Sequence, residues 1–199
     1  MSGVLILIPA AGASSRMRGP DKLIEAVDGK PLLARQVERA LATGCEVLVT
    51  VSQDHPARAE VLSGLESARL QIMRIDGREG MAVSLRNGAG AAERQNAVAM
   101  MVLLADMPDL DTPDLAKVIA AQRNAPDQVH RAVTDTGQPG HPVVFPRRMF
   151  DRLEKVTGDA GAHNLLRGEN VQLTTLPGQR AVTDLDTPED WAAWQKLRG

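Results

Sequence analysis

Val4-Leu5-Ile6-Leu7-Ile8-Pro9-Ala10-Ala11-Gly12-Ala13-Ser14-Ser15-Arg16-Met17-Arg18-Gly19-Pro20-Asp21-Lys22 is the stretch on which the fold turns. Residues 4–8 are a continuous apolar run, the pattern of a strand buried on both faces. The chain then enters a loop of small residues that ends by presenting Arg16 and Lys22. Small side chains let backbone N–H groups come close to a phosphate, and the two cations neutralise it. The loop is not a Walker A motif, because Leu23 follows Lys22 where that motif needs Ser or Thr. It is not a dinucleotide fingerprint either, since it has only Gly12 and Gly19. A strand feeding such a loop predicts a place to hold a polyphosphate, and so an enzyme that handles a nucleotide.

Outward from this stretch, apolar runs alternate with helical patterns, which predicts an α/β fold with a mostly parallel sheet. Strands are expected at 4–8, 46–52, 70–75, 98–104, 129–134, 143–145 and 171–176. Helices are expected at 31–43, 57–65, 83–94, 114–123, 147–155, 160–166 and 188–197. Pro31 reads as a first helical position and Gly44 as a stop. The segment 135–140 reads as turn. No repeat or linker interrupts the pattern. The expectation is one unit over 1–199, with a nucleotide-binding half over about 1–110 and an acceptor-binding half over about 111–199.

Composition narrows the function further. Of 199 residues, 43% are hydrophobic and 24% charged, which suits a globular domain with a sizeable core. Two Phe, two Trp and no Tyr leave no aromatic platform for stacking bases. The net charge of −2 includes no dominant basic stretch, so nucleic acid is not an expected partner. The single Cys45 excludes an internal disulfide and fits a reducing compartment. No run is long enough to cross a bilayer, and the chain reads as cytoplasmic, with no membrane partner.

Several acidic and small-residue segments extend the nucleotide reading. Asp106 follows directly on an apolar strand, where ligands of open α/β sheets bind, and it is placed to hold Mg²⁺ against phosphates. Asp184 and Asp186, two apart in an extended segment, share one side of it. A helix start accounts for the same segment, with Thr187 as cap, Pro188 next and Asp190 completing a capping box. Asp111-Thr112-Pro113-Asp114 repeats that pattern as a helix start alone. Gly80 and Ser84 open a helix whose free N–H groups suit a nucleotide oxygen. His141, in Gly137-Gln138-Pro139-Gly140-His141-Pro142, is a candidate contact for a second substrate; Asp159 is a candidate cap and His163 a candidate anion contact. The four histidines have no metal-ligand spacing, and no Gly-x-Ser-x-Gly elbow supplies a nucleophile.

In order along the chain, these motifs resemble the molybdenum cofactor nucleotidyltransferase family. The resemblance runs through Ala10-Ala11-Gly12…Arg16-Met17…Lys22-Leu23, Gly80-Met81…Ser84-Leu85…Gly88 and Leu104-Ala105-Asp106-Met107-Pro108. It continues through Gly140-His141-Pro142, Gly158-Asp159-Ala160-Gly161-Ala162 and Asp184-Leu185-Asp186-Thr187-Pro188-Glu189-Asp190. The start Ala10-Ala11-Gly12 looks like the cytidylyl branch, whereas the guanylyl branch usually has Ala-Gly-Gly and more room for a purine. The resemblance implies a three-layer Rossmann-like, glycosyltransferase-A fold and Mg²⁺-dependent attack of a molybdopterin phosphate on CTP. It implies Arg16 and Lys22 on the phosphates, Asp106 and Asp186 on the metal, and Ala10, Ala11, Gly12, Gly80 and Ser84 around the nucleotide. His141, Asp159, Gly161 and His163 would line the acceptor side. The chain departs from the family at Arg18, Ala82 and His163. A molybdoenzyme or its chaperone is the implied protein partner. Guanylyl or sugar-1-phosphate transfer, and a non-catalytic cofactor carrier, are the alternatives.

Overall fold

The structure is a computed structural model that describes residues 3–17, 19, 21–158 and 161–198. Its elements run β1 (Val4–Ala10), β2 (Ala26–Val27), β3 (Lys30–Pro31), α1 (Leu32–Ala42), β4 (Glu46–Ser52), α2 (Pro56–Ser63), β5 (Leu70–Ile75) and α3 (Met81–Arg94). There follow β6 (Ala99–Val102), α4 (Thr112–Asn124), β7 (Val129–Val133), β8 (Pro139–Pro146), α5 (Phe150–Leu153), α6 (Gly161–Leu166), β9 (Val171–Thr175) and α7 (Pro188–Arg198).

Seven strands form one sheet in the order β5-β4-β1-β6-β8-β7-β9, and only β8 runs against its neighbours. The mostly parallel α/β sheet expected from the apolar runs is what forms. From β1 the chain steps outward to β4 and β5, then returns to the other side of β1 with β6. This reversal leaves a crevice beyond the carboxyl ends of β1 and β6, the place where open α/β sheets bind ligands. The 10–22 loop and the Asp106 loop both start there.

The core explains the apolar runs. Along β1, Val4, Ile6 and Ile8 face one layer with Leu33 and Val37 of α1 and Val118 of α4. Leu5 and Leu7 face the other layer, with Leu85 and Ala89 of α3 and Phe150 of α5. Side-chain alternation along the strand thus feeds two separate helix layers, and each fully buried Leu or Ile contributes roughly 1.5–3 kcal/mol. Gly88 of α3 is part of this packing. A Cβ there would lie 2.6 Å from Leu7 Cδ2 and 2.9 Å from Met100 Sδ.

Four differences from the sequence expectations have plain causes. Helix α1 begins at Leu32, because Pro31 is extended (ψ 134°) and closes a small hairpin with β2. That hairpin turns on Asp28 and Gly29, both at positive φ, the Asp-Gly signature of a tight turn. Strand β6 is shorter than the apolar run 98–104 because Leu103 and Leu104 already belong to the loop carrying Asp106. Strand β8 is longer than 143–145 and takes in three prolines. Proline disrupts a ladder, but Pro139 and Pro146 stand at the two ends of β8, opposite Val133 and Ala99, and Pro142 lies just beyond the β6 ladder where the β7–β8 register shifts between Arg131 and Val133. Among the described residues no helix is long and apolar enough to cross a membrane.

Gly88→Ala gains helix propensity of about 1 kcal/mol but drives a methyl into two side chains of the core. Overpacking of this kind costs about 1–3 kcal/mol. We expect a net loss of stability in urea denaturation, with the m-value unchanged.

Candidate active site

A cleft of about 340 Å³ opens over the crevice. Residues 9–14, Arg16 and Lys22 line one side, Gly80, Met81 and Ser84 another, and Asp106, Asp184 and Asp186 the third. Of the residues singled out in the sequence, Ala10, Ala11, Gly12, Arg16, Lys22, Gly80, Ser84, Asp106 and Asp186 all meet here.

Lys22 stands at the centre. Its Nζ donates to Asp106 Oδ2 and to Asp186 Oδ1, each at 2.5 Å. These carboxylates lie 84 and 164 residues further along the chain. Arg16 reaches the second oxygen of Asp186 at 2.5 Å. Burial alone would lower the Lys22 pKa, but Asp106 and Asp186 overcome it and hold the ammonium above its ordinary value. Asp184 is pushed the other way. Its own burial, then the charges of Asp186 and Asp106, raise its carboxyl above the usual aspartate value.

The backbone explains how these groups converge. The Leu185 N–H donates to the Asp106 carbonyl at 3.0 Å, which clips Asp184 and Asp186 beside the Asp106 loop. Helix α1 holds that loop from beneath: Gln36 donates to the Met107 carbonyl at 2.8 Å and Arg39 to the Pro108 carbonyl at 2.8 Å. The helix start at Thr187 is also real. Asp190 accepts from the Thr187 N–H at 2.8 Å and donates its own N–H to Thr187 Oγ1 at 3.1 Å. One short segment thus serves both as a helix cap and as a carboxylate lining of the cleft. Asp111 and Asp114 form a second capping box without entering the cleft.

The residues fit a hard divalent cation. Asp106 Oδ1 is buried without a hydrogen-bond partner, while its other oxygen is on Lys22. Among the described residues no three His, Cys, Asp or Glu side chains are gathered to hold a metal by themselves. Two carboxylates, with the remaining positions filled by phosphate oxygens and water, are the usual protein share of a Mg²⁺ site. Asp106 and Asp186 are the pair in position.

Other candidates sit differently. Gly80 has a φ of 64° and caps α3, a conformation that favours glycine. Ser84 is buried, and its oxygen already accepts from Thr50 Oγ1 at 2.9 Å. His141 does not line the cleft; it lies two residues before the Val102–Val143 pairing and donates its N–H to the Ala181 carbonyl at 2.8 Å. Asp159 and the side chain of His163 lie outside the described residues, and of Gly161 only its place at the start of α6 is described.

The sequence reading passed over Arg58. This α2 residue is fully buried beneath the 10–22 loop and pairs with Asp21 through Nε at 2.7 Å. Its signal lay in the spacing: Arg58 is four residues before the buried Leu62, so it occupies the core face of its helix. Burial raises the Asp21 pKa, but Arg58 outweighs it and holds the carboxyl below its ordinary value of 3.8.

Two outcomes follow from these charges. Lys22→Met leaves three carboxylates facing Arg16 alone, so Mn²⁺ added without nucleotide is expected to raise the melting temperature more in the variant than in the wild type. Asp21, with its lowered pKa, contributes stability that is complete above the unfolded value and is lost as pH falls through the folded one. The stability gap between wild type and Asp21→Asn is therefore expected at neutral pH and should close as pH drops below 3.8. Acid titration of both proteins by circular dichroism reads it.

Comparison with known proteins agrees with this geometry. The chain is 29% identical to the nicotine blue oxidoreductase of Paenarthrobacter nicotinovorans, over 95% of this chain and 93% of the relative. It is 25% identical to a probable molybdenum cofactor guanylyltransferase of Rhodopirellula baltica, over 94% and 88%. The fold is that of Rv0371c from Mycobacterium tuberculosis, with a TM-score of 0.79, 21% identity and 98% of both chains covered. Residues 6–175 match the family described as the MobA-like NTP transferase domain. With a parallel sheet, a small-residue loop at its switch point and this match over most of its length, the chain belongs to the MobA-like NTP transferase family and is a nucleotidyltransferase of that type.

Proposed function

We propose that the chain transfers CMP from CTP to the phosphate of a molybdopterin-type acceptor and releases pyrophosphate, with Mg²⁺ as the metal. The observation that supports this is the meeting of Asp106 and Asp186 on Lys22, with the other Asp106 oxygen buried and unpartnered. In this reading an oxygen of the acceptor phosphate attacks the α-phosphorus. A new P–O bond forms, the bond to the bridging oxygen of the β-phosphate breaks, and that oxygen leaves with the electron pair. The attacking phosphate is already ionised, so no base is needed. A bound divalent ion would offset charge on the triphosphate; Asp106 and Asp186 would hold it.

The chain's own groups do the rest by charge and position. Lys22 moves its ammonium from the carboxylates to the phosphates, and Arg16 follows from Asp186. The amides of the 10–12 segment and of the α3 N-terminus hold the nucleotide, with Gly80 and Ser84 near its base and ribose. Residues 1–110 carry the nucleotide and 111–199 the acceptor, with His141 and the 158–163 segment on the acceptor side. Asp186 is the exception, a second-half residue serving the metal.

The cytidylyl choice rests on Ala11, whose methyl packs against Ile75 and Val83 and fills space that a glycine would leave open. Similarity to a relative named a probable molybdenum cofactor guanylyltransferase argues for GTP instead. Thermal shift with CTP, GTP, ATP and UTP, each with Mg²⁺, separates the two, and the largest shift is expected with CTP. A clear preference for GTP overturns the choice of base.

Asp106→Ala is expected to keep the melting temperature within a few degrees and to abolish metal-dependent pyrophosphate release, a loss of about 10²-fold or more. Near-normal release in that variant contradicts the metal role. Tight binding of the pterin cofactor by wild type, with no pyrophosphate from any nucleotide, would favour a carrier.

A further inference from the structure

Arg58 belongs to α2, and no step of the proposed chemistry uses it. A guanidinium carries five N–H donors, and here every one has an acceptor. Nε and Nη2 grip the two oxygens of Asp21 at 2.7 and 2.9 Å. Nη2 also donates to Ser14 Oγ at 2.9 Å. Nη1 donates to the carbonyls of Ala10 at 2.7 Å and Gly12 at 2.6 Å. The acceptors span the whole loop, from the last residue of β1 to the neighbour of Lys22. Asp21 in turn accepts from Ser14 Oγ at 3.2 Å and from the Leu23 N–H at 3.1 Å, so the grip extends past Lys22 on both sides.

Such a grip has a directional consequence. A trans peptide points its N–H opposite to its C=O, and the one cis bond among the described residues is His141–Pro142. By drawing the Ala10 and Gly12 carbonyls towards itself, Arg58 turns the N–H groups of Ala11 and Ala13 away. Both residues line the cleft. Backbone amides that point to one side of a turn, here two residues apart, offer donors to phosphate oxygens. The side chain makes these bonds from a position with no solvent exposure, so water does not compete for them.

We propose that Arg58 is a positioning residue that presets the 10–22 loop for a nucleoside triphosphate. It ties the loop's carbonyls and Asp21 from beneath, so that the loop's amides, Arg16 and Lys22 meet the triphosphate with little further ordering on binding. The proposal rests on the nucleotidyltransfer reading. It assigns Arg58 to the nucleotide side alone. A merely structural arginine would loosen both substrate sites together.

Two variants test this, because Arg58→Ala would strand a buried carboxylate and endanger folding. Arg58→Lys keeps the charge but loses the planar fork that spans four acceptor groups. Asp21→Asn keeps Arg58 and its bonds to Ala10 and Gly12 while weakening the grip beside Lys22. Calorimetric titration with CTP and Mg²⁺, or with the triphosphate that wild type prefers, is expected to show about tenfold weaker binding in each. In steady-state assays the KM for the triphosphate is expected to rise by a similar factor, with the acceptor KM within about twofold of wild type. Equal affinity for the triphosphate in folded variants and wild type overturns the proposal alone, and so does an equal rise in both KM values. Wild type that binds none of the four triphosphates overturns the nucleotidyltransfer reading and this proposal with it. Should Arg58→Lys not fold, Asp21→Asn decides.

Discussion

One ammonium holds the cleft together. Lys22 bonds carboxylates delivered by two remote parts of the chain, and Arg16 adds a second cation on Asp186. Three carboxylates, Asp106, Asp184 and Asp186, face these two cations at close range. The arrangement is one positive charge short of balance, and the Asp184 carboxyl, raised by its own burial and then by the charges of Asp186 and Asp106, carries the local sign of it. Lys22, Asp106 and Asp186 are largely out of water, where charges are costly unless paired. A divalent cation reverses the imbalance, and a polyphosphate anion is what the resulting positive surplus would attract. In the proposed reading Lys22 serves two states: it compensates the carboxylates alone, and it would be free for phosphate when another cation takes them.

Holding remote segments in register needs more than charge, and a small apolar cluster supplies it. Met17, next to Arg16, and Leu185, between Asp184 and Asp186, pack with Val27, Leu32 and the two tryptophans of α7. The Trp194 Nε1–H donates to Asp109 Oδ1 at 2.9 Å, three residues past Asp106. Helix α7 thus touches all three segments that carry the charged groups. Trp191 and Trp194 meet edge to face, with ring centroids 6.3 Å apart, a geometry favoured by the aromatic quadrupole. Both tryptophans of the chain thus stand where the site's segments join.

The sequence disclosed what depends on local pattern. Strand 46–52 forms with the expected bounds because its apolar run is buried on both faces, and strand 70–75 does so as a part-exposed edge strand beside it. Asp106 was legible because it lies in the short loop leaving a central strand, where open α/β sheets bind ligands. The hairpin at Asp28-Gly29 carried a readable signal that is easily lost between two longer elements. Arg58 was harder to see. Only its spacing from Leu62 marks it as buried, and nothing local shows that Asp21, Ser14 and two carbonyls wait for it. The bond from Leu185 to Asp106 is likewise a tertiary fact, invisible to any window of sequence.

The segment from Leu176 to Leu185 shows why the site is a property of the whole chain. It leaves β9 with the Leu176 N–H on the Val133 carbonyl, passes β8 with the His141 N–H on the Ala181 carbonyl, and reaches Asp106 through Leu185. On the way Arg180 pairs with Asp111 and Asp114, the capping box of α4. These contacts fix the strap to the antiparallel strand, to α4 and to the Asp106 loop in turn. A strap tied at successive points has few ways to move, so Asp184 and Asp186 arrive in the cleft already placed. The close approach leaves no room at Gly140, where a Cβ would meet the Ala181 backbone. A glycine near the start of β8, unhelpful to the strand itself, is thus required by the passage of the strap that brings the second carboxylate to Lys22.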